Sequence, residues 1–451
     1  MHKYLPKISV LLPFLRKLEA SQLATRLMKG TFWSLAGAII SRGLNLLAII
    51  LVARYLGIVG FGELGVIQST VAMFQVLATF GAGITATKFV AEFRNTDPEK
   101  AGCIIALTSL FSLSTGAAAS TAFFLGAPWI ADTLLNRPEL TIPLQVSSVM
   151  LLTAAWMGVQ TGALAGLEAF RKITLVNLFA GLTSFPLILG GAYYGDLLGA
   201  VLGMVLASLC NVFLNSIALT KERKKWTIPI NIQGISNLAP KVLQFSFPTM
   251  LAGLLWAPVI WFGKVLLVNQ DNGYFQLGLY NAAYQWFVIG LFLPNIASKA
   301  FLPITSERIG NRDFCAAKSI IFNGVKYTLI FILLFTFIGA LFSKQIMLLY
   351  GSEFSKGWTI LVLLLCSTVF AGPQNMMTST MAALNKVWYH FFVNFFWGIL
   401  YILLSYLFIK NELGGNGLAL ATLISYMFKF ILSIFILNYI FKTTKLLPIR
   451  T

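Results

Sequence analysis

A polar stripe on the first apolar segment is the clearest candidate for chemistry in this 451-residue sequence. Arg42 lies about twelve residues into that segment, and Ser41 and Asn45 are its neighbours on the same helical face. A guanidinium at such depth costs at least ~2.5–3.5 kcal/mol in a bilayer, so it usually faces a wet cavity. The stripe predicts that Arg42 and Asn45 bind an anionic substrate. The alternative is a structural arginine satisfied by backbone carbonyls.

Other basic residues are candidates for the same site. Lys264 follows Pro258 and Gly263, which can loosen a helix where it lines a cavity. Lys88 and Lys299 end two further apolar segments at equivalent places, and snorkelling to the membrane interface is their alternative role. For Lys326 and Lys429, which are shallower, snorkelling is the expected role.

Neutral polar residues form stripes on two other segments. Gln68, Gln75 and Thr79 share one helical face, and Asn281, Tyr284 and Gln285 share another. Gln68 and Asn281 are separated by 213 residues, the spacing of an apparent repeat. We expect Gln68, Asn281 and Gln285 to contact sugar hydroxyls. Hydrogen bonding between helices is an equally common use of such residues.

Residues for other chemistries are missing from the sequence. There is no GxxxxGK[ST] phosphate loop for ATP hydrolysis. The four cysteines are widely spaced and there are only two histidines, so no metal site or cofactor is predicted. Carboxylates are absent from the middle of every apolar segment, so no pair of residues there can act as general acid and general base. We therefore expect a transporter and not an enzyme.

The composition describes the elements that position these residues. Apolar residues make up 58% of the chain and charged residues only 11%, against about 25% in a soluble domain. A membrane-spanning helix needs roughly 20 apolar residues. The sequence predicts an all-α membrane protein with about twelve spans, at 31–56, 63–87, 101–126, 142–166, 173–194, 197–219, 242–267, 275–303, 319–342, 357–383, 387–409 and 415–441.

The net charge of +18 reflects topology more than ligand binding. If the N-terminus is inside, the inner segments carry 23 basic residues and the outer loops carry 5. This bias predicts that both termini are cytoplasmic. It also indicates contact with anionic lipid headgroups and gives no reason to expect a nucleic-acid partner.

The chain divides into two similar halves. Residues 60–66 open the second span and residues 273–279 open the eighth, while 199–202 and 417–420 open the sixth and twelfth. Because each half has six spans, the repeat is parallel, with a cavity expected between two six-helix lobes. We predict an amphipathic cytoplasmic segment at 1–29, lobes at 30–220 and 242–442, a cytoplasmic linker at 221–241 and a tail at 443–451.

Several of these segments together resemble a known family. They are residues 41–44 (SRGL), 53–57 (ARYLG), 60–62 (GFG), 88–93 (KFVAEF), 302–308 (LPITSER) and 417–422 (GLALAT). The chain is similar to the O-antigen and polysaccharide flippases of the multidrug/oligosaccharidyl-lipid/polysaccharide exporter superfamily. The family fold, two six-helix lobes around a central cavity, agrees with the predicted topology.

The resemblance implies a substrate and a location. The substrate is an undecaprenyl-pyrophosphate-linked oligosaccharide, an O-antigen or other surface polysaccharide unit, carried by alternating access across the bacterial inner membrane. Arg42 would bind its pyrophosphate or acidic sugars from the first lobe, with Lys264 as partner from the second. A polysaccharide polymerase and glycosyltransferases are the implied protein partners.

Four other functions are compatible with twelve spans. A cation-coupled multidrug exporter of the same superfamily would need a buried carboxylate, and a facilitator of the other common twelve-helix fold would need a signature that residues 92–98 lack. A lipid-linked-sugar transferase would need catalytic acids in a large outer loop. A non-transporting membrane scaffold for glycan assembly would tolerate neutral replacement of Arg42.

Overall fold

The computed structural model describes residues 22–229, 235–296, 298, 314–384 and 386–446. Helices dominate these ranges, and no strand occurs within them. Most of the predicted N-terminal surface segment, 1–29, and most of the predicted tail, 443–451, lie outside the described residues. The all-α class is confirmed.

The first half of the chain contains six α-helices. They are α1 (Gln22–Thr79), α2 (Ala82–Phe93), α3 (Pro98–Trp129), α4 (Thr141–Ser147), α5 (Val149–Gly166) and α6 (Phe170–Lys225). Two short stretches, Ile130–Leu134 and Pro138–Leu140, connect α3 to α4. The chain bends within α1 at Gly57 and within α6 at Gly195 and Asp196, where the backbone leaves helical geometry.

In the second half, a short helical stretch lies at 292–296, and the described residues contain eight longer helices. They are α7 (Ile235–Gly253), α8 (Trp256–Val268), α9 (Gly273–Gly290), α10 (Phe314–Leu341), α11 (Ser343–Leu348), α12 (Trp358–Ala383), α13 (Val387–Lys410) and α14 (Gly414–Leu446). A short 3-10 turn, Ser352–Gly357, precedes α12.

The number of membrane spans follows from helix length and the two bends. Eight stretches of the described residues are long and apolar enough to cross a bilayer. Two of them, Ser41–Thr79 and Phe170–Lys225, are bent in the middle and each supplies two spans. With α8 and α9 this makes twelve, so the predicted architecture of about twelve spans is confirmed.

Several predicted spans are broken where a continuous helix was expected, among them the second and the seventh. The second, 63–87, is interrupted at Phe80 and Gly81, whose φ angles are 46° and 69°. The seventh, 242–267, is interrupted at residues 254–255, between α7 and α8. In each case the sequence stays apolar across the break. The spans were predicted from apolar composition alone, so the breaks were not predicted.

The two lobes meet where equivalent glycine-rich segments cross. A Cβ atom at Gly62 of α1 would overlap the carbonyl oxygen of Tyr274, and one at Gly278 of α9 would overlap that of Ile58. Because glycine has no side chain, the two backbones approach to a distance that other residues would prevent. The segments that the repeat places at equivalent positions therefore pack against each other.

Further contacts close the same end of the lobe interface. The Asn136 amide donates to the Asn269 side-chain oxygen at 2.5 Å, and the Asn269 amide donates to the Leu134 carbonyl at 2.9 Å. The Tyr274 hydroxyl donates to the Leu135 carbonyl at 2.7 Å. The interface thus combines glycine packing with hydrogen bonds from the loop that follows α3.

The helix α7 packs on the first lobe, although α8 belongs to the second. The hydroxyl groups of Ser246 and Thr85, on α7 and α2, are 2.7 Å apart. The Phe245 and Phe89 rings meet edge to face with centroids 5.8 Å apart. The break at 254–255 therefore divides one span between the two halves of the molecule.

A larger side chain at the glycine crossing should separate the two lobes at that end of their interface. We expect Gly278→Val to lower, severalfold, the yield of crosslinking between Asn136→Cys and Asn269→Cys by a short bifunctional thiol reagent. The background is a chain whose four native cysteines are replaced by serine. The matched control is Gly190→Val, since a Cβ atom there meets no atom within 4 Å. Equal crosslinking yields in Gly278→Val and Gly190→Val would show that the glycine crossing does not hold the lobes together at this end of their interface.

Candidate functional site

A polar pocket lies between the first half of α1 and the two halves of α6. Its volume is about 250 Å3. It is lined by Ser41, Arg42, Asn45, Asn177, Ala180, Gly181, Ser184, Ala207, Ser208 and Asn211. The lining holds three amides, three hydroxyl groups and one cation, with no carboxylate.

Arg42 supplies the charge of this pocket. Its side chain is exposed, and its guanidinium carbon is 4.3 Å from the centroid of the Phe292 ring, which follows α9. Within the described part of the chain, no carboxylate forms an ion pair with Arg42. A guanidinium that stacks on an aromatic ring keeps its N–H donors available in the ring plane. The arrangement can bind a phosphate or carboxylate of a ligand.

Neighbouring helices fix the neutral residues of the pocket. The Ser208 hydroxyl accepts a hydrogen bond from Thr153 at 3.1 Å. The Asn211 side-chain oxygen accepts one from the Asn215 amide at 2.8 Å, which leaves the Asn211 amide nitrogen as a donor. Amides and hydroxyls both donate and accept hydrogen bonds, as sugar hydroxyls require.

The sequence pointed to only part of this lining. Arg42 and Asn45 were predicted and lie together in the pocket. The asparagine and serine residues that α6 contributes were not predicted. Their spacing is a helical stripe on each half of α6, at i and i+7 (177 and 184) and at i and i+3 (208 and 211). The same argument that identified the stripe on α1 would have found them.

Lys264 and Asn281 form a separate buried pair in the second lobe. The Lys264 amine donates to the Asn281 side-chain oxygen at 2.9 Å, and these residues are 6% and 4% exposed. The amine also lies 5.4 Å from the centroid of the Tyr284 ring. Asn281 packs directly on Gly65, where a Cβ atom would overlap its amide. Two predicted site residues are thus adjacent, at the glycine crossing.

The structure does not bring Lys264 next to Arg42. Arg42 contacts Phe292 just beyond the end of α9, whereas Lys264 contacts Asn281 at the middle of that helix. Eleven residues of helix correspond to about 16 Å. The first-lobe pocket and the Lys264–Asn281 pair are therefore two sites in this conformation.

The other predicted site residues are dispersed. Gln68 donates to the Met204 sulfur at 3.6 Å, and Gln285 is half-buried one turn beyond Asn281. The Lys88 amine lies 4.0 Å from the centroid of the Phe245 ring on α7. Lys299 lies outside the described residues. Their proposed contact with substrate stays a prediction.

The described residues contain no group of three or more histidine, cysteine, aspartate or glutamate side chains that could hold a metal ion. Cys103, Cys210 and Cys366 form no disulfide within the part of the chain that the structure describes. The chemistry on offer is therefore hydrogen bonding and charge attraction by organic side chains.

Comparison with known proteins gives the family. The family model described as "Polysaccharide biosynthesis protein" matches residues 27–308, more than half of the chain. The chain belongs to this family of polysaccharide biosynthesis proteins. The matched range includes every predicted site residue, Lys299 among them.

A curated relative and two solved structures are similar to this chain over most of its length. The EPS I polysaccharide export inner membrane protein EpsE of Ralstonia nicotianae is 20% identical over 401 residues, which cover 87% of this chain and 89% of the relative. An inward-facing multidrug resistance MATE family transporter of the MOP superfamily is 15% identical, with a TM-score of 0.77 over 92% of this chain and 100% of that one.

The second solved structure is the lipid II flippase MurJ in an inward closed conformation. It is 16% identical, with a TM-score of 0.73 over 90% of this chain and 87% of that one. These likenesses show that this polysaccharide biosynthesis protein has the fold of MOP-superfamily transporters. It is a multi-pass membrane protein.

Removing the acceptor of the buried lysine should destabilise the protein. We expect Asn281→Leu to cost about 1.5–3 kcal/mol, because the charged Lys264 amine loses its hydrogen bond in the interior. The double variant Lys264→Met with Asn281→Leu should recover most of that loss. The thermal unfolding midpoint of the detergent-purified protein measures both.

The matched control is Gln285→Leu, one turn along the same helix. It removes an amide that does not hold the lysine, so its midpoint should stay near that of the parent chain. A double variant no more stable than Asn281→Leu alone would refute the pairing as the source of the loss.

Proposed function

We propose that this protein is a flippase that moves a polyprenyl-pyrophosphate-linked oligosaccharide across the membrane. The observation that carries the proposal is Arg42, a cation that no described carboxylate pairs with, in a pocket whose other polar lining groups are amides and hydroxyls. The family description, the name of the Ralstonia relative and the similarity to a lipid II flippase support it. The carried unit would be an O-antigen or another surface polysaccharide unit.

The chemistry of such a substrate matches the pocket. A pyrophosphate inside a membrane is prohibitively desolvated unless cations and hydrogen-bond donors replace its water. Arg42 supplies the charge, and Asn45 and Asn211 can bond sugar hydroxyls. The lipid tail can stay in the bilayer, so the cavity has to hold only the polar head of the molecule.

We propose that the second lobe contributes as the pocket opens and closes. Lys264, Asn281 and Gln285 would bind the substrate when the lobes rock, while Gln68, Lys88 and Lys299 would contact it on its path. Rocking would occur about the linker at 221–241, between lobes at 30–220 and 242–442. In this scheme the Lys264 amine exchanges the Asn281 oxygen for a phosphate oxygen.

The proposal includes the cellular setting. The protein would lie in the bacterial inner membrane with both termini cytoplasmic, as the distribution of basic residues predicts. Glycosyltransferases would act on the lipid-linked unit before it is transported, and a polysaccharide polymerase would act on it afterwards. A cation-coupled multidrug exporter is disfavoured because the pocket offers no carboxylate to a cation.

Neutralising Arg42 should impair transport selectively. We expect Arg42→Ala to lower the exchange of labelled lipid-linked oligosaccharide between leaflets of reconstituted vesicles by roughly 30-fold, from the loss of about 2 kcal/mol of charge-assisted bonding. Arg42→Lys should retain part of the activity, since lysine keeps the charge but loses the planar fork.

The control for this series is Arg171→Ala, which removes an exposed arginine at the start of α6, outside the pocket lining. It should exchange the substrate at the parent rate. Equal exchange by the parent chain and Arg42→Ala would sink the cationic-site proposal. Exchange no faster than in empty vesicles for the parent chain would sink the flippase proposal itself.

The neutral residues should matter only when sugars are present. We expect Asn45→Leu and Asn211→Leu to slow exchange of the lipid-linked oligosaccharide about tenfold, with little effect on polyprenyl pyrophosphate without sugar. Each loses about one hydrogen bond of ~0.5–1.5 kcal/mol and also exposes an apolar group to the sugar. Asn411→Leu, at an exposed position after α13, is the matched control. Equal slowing for both substrates would contradict sugar recognition by these amides.

A further inference from the structure

Lys429 lies in the interior of the second lobe. Among the described residues, no carboxylate pairs with its charge and no group accepts a hydrogen bond from its amine. It belongs to α14 and is 6% exposed, although the sequence predicts that it snorkels to the membrane surface. Its amine is 4.8 Å from the centroid of the Trp397 ring and 5.6 Å from that of Tyr426. The rings attract a cation through their faces, but they do not accept its three N–H bonds in the way an oxygen or an anion does.

No carboxylate balances this charge among the residues of the second lobe that the structure describes. In the described residues from 256 onwards, the carboxylates are Asp271, Glu353 and Glu412, and all three are exposed outside the long helices. His390 interacts electrostatically with Lys429 but offers no negative charge. No hydrogen bond or ion pair of Lys429 occurs within the described part of the protein. Buried charges in proteins are normally paired, so this one calls for a counter-ion.

A second unsatisfied donor lies at the same place. The indole N–H of Trp397 is buried and has no hydrogen-bond partner among the described residues, and Trp397 is 0% exposed. A buried donor without an acceptor is unfavourable by about 1–3 kcal/mol. The Lys429 amine lies over the face of the same indole ring, whereas the N–H points outward from the ring edge in the ring plane. An ion beside that edge would accept the N–H and lie on the side of the ring that carries the ammonium. A charged donor and a neutral donor at one ring are recognition elements for an anion.

The surroundings limit the size of that anion. Trp397 stacks on Tyr401, which is 0% exposed, and Tyr426 is 6% exposed. The Tyr426 hydroxyl is 3.4 Å from the indole nitrogen of Trp256, which donates to it from α8. A sugar or a pyrophosphate does not enter such a closed cluster. Of the anions, a monatomic ion needs the least space, comparable to that of one water molecule.

We propose that the second lobe contains a binding site for a small inorganic anion of the halide class, held between the ammonium of Lys429 and the indole N–H of Trp397. The site is distinct from the first-lobe pocket and from the Lys264–Asn281 pair. It does not depend on which substrate the protein carries. Because Trp256 of α8 helps to close it, separation of α8 from α14 opens the site to exchange.

Radiolabelled chloride measures the site directly. We expect the detergent-purified full chain, in sodium gluconate at constant ionic strength and pH, to bind chloride saturably at about one ion per chain in a scintillation proximity assay. Unlabelled bromide should displace it. Lys429→Met should abolish this binding, and Trp397→Phe, which keeps a ring but removes the N–H, should weaken it about tenfold.

Two control variants separate this site from other cations. Lys326→Met removes an exposed lysine in the same lobe, and Arg42→Ala removes the cation of the first-lobe pocket; both should bind chloride like the parent chain. If Lys429→Met does not fold, Trp397→Phe alone carries the test. No saturable binding by the parent chain, or unchanged binding in Trp397→Phe, overturns the proposal, and loss in Arg42→Ala assigns the ion to the pocket instead.

Discussion

The close crossing of α1 and α9 is the contact on which the two sites depend. It is possible because glycines at 62, 65 and 278 leave room for backbone and amide atoms of the opposite helix. The Asn281 side chain packs on Gly65 and from there holds the Lys264 amine. The bend at Gly57 then separates the crossing half of α1 from the half that carries Arg42. One helix can therefore seal the lobe interface and line a pocket.

Three cations within the helices share the lack of a carboxylate partner among the described residues. Arg42 is open to a pocket, Lys264 is held by an amide, and Lys429 lies among aromatic rings. A buried ion pair would satisfy each cation permanently, and a satisfied cation would have little affinity left for a ligand. Without such a pair these cations are available to mobile anions. The three environments also differ in access, from an open pocket to a closed core.

Most of the architecture was predictable because a bilayer imposes simple rules on sequence. Span number and helical class follow from the length of apolar runs. The break at Phe80 and Gly81 and the break at 254–255 were not predictable in this way, because residues on both sides are equally apolar. Gly81 adopts a positive φ, but a single glycine in an apolar run is a weak signal.

The site was only partly predictable for a related reason. Arg42 and Asn45 lie on one helix, so helical periodicity was enough to group them. The α6 residues that complete the pocket come from 132 or more positions later, and their approach depends on how α6 packs against α1. The position of Lys429 along its helix suggested that the amine reaches the membrane surface. Its side chain instead faces the interior of the second lobe, and this orientation depends on helix packing, which the sequence does not reveal.

The divided seventh span changes what counts as a separable piece of this molecule. A cut in the loop between α6 and α7 produces two polypeptides that both look like complete six-span units. The second of them begins with α7, whose Ser246 and Phe245 belong against Thr85 and Phe89 of the first. The boundary between the halves along the chain, between α6 and α7, therefore differs by one helix from the boundary in packing, between α7 and α8. If the chain is cut between α6 and α7, the second half carries α7 as its own docking element for the first.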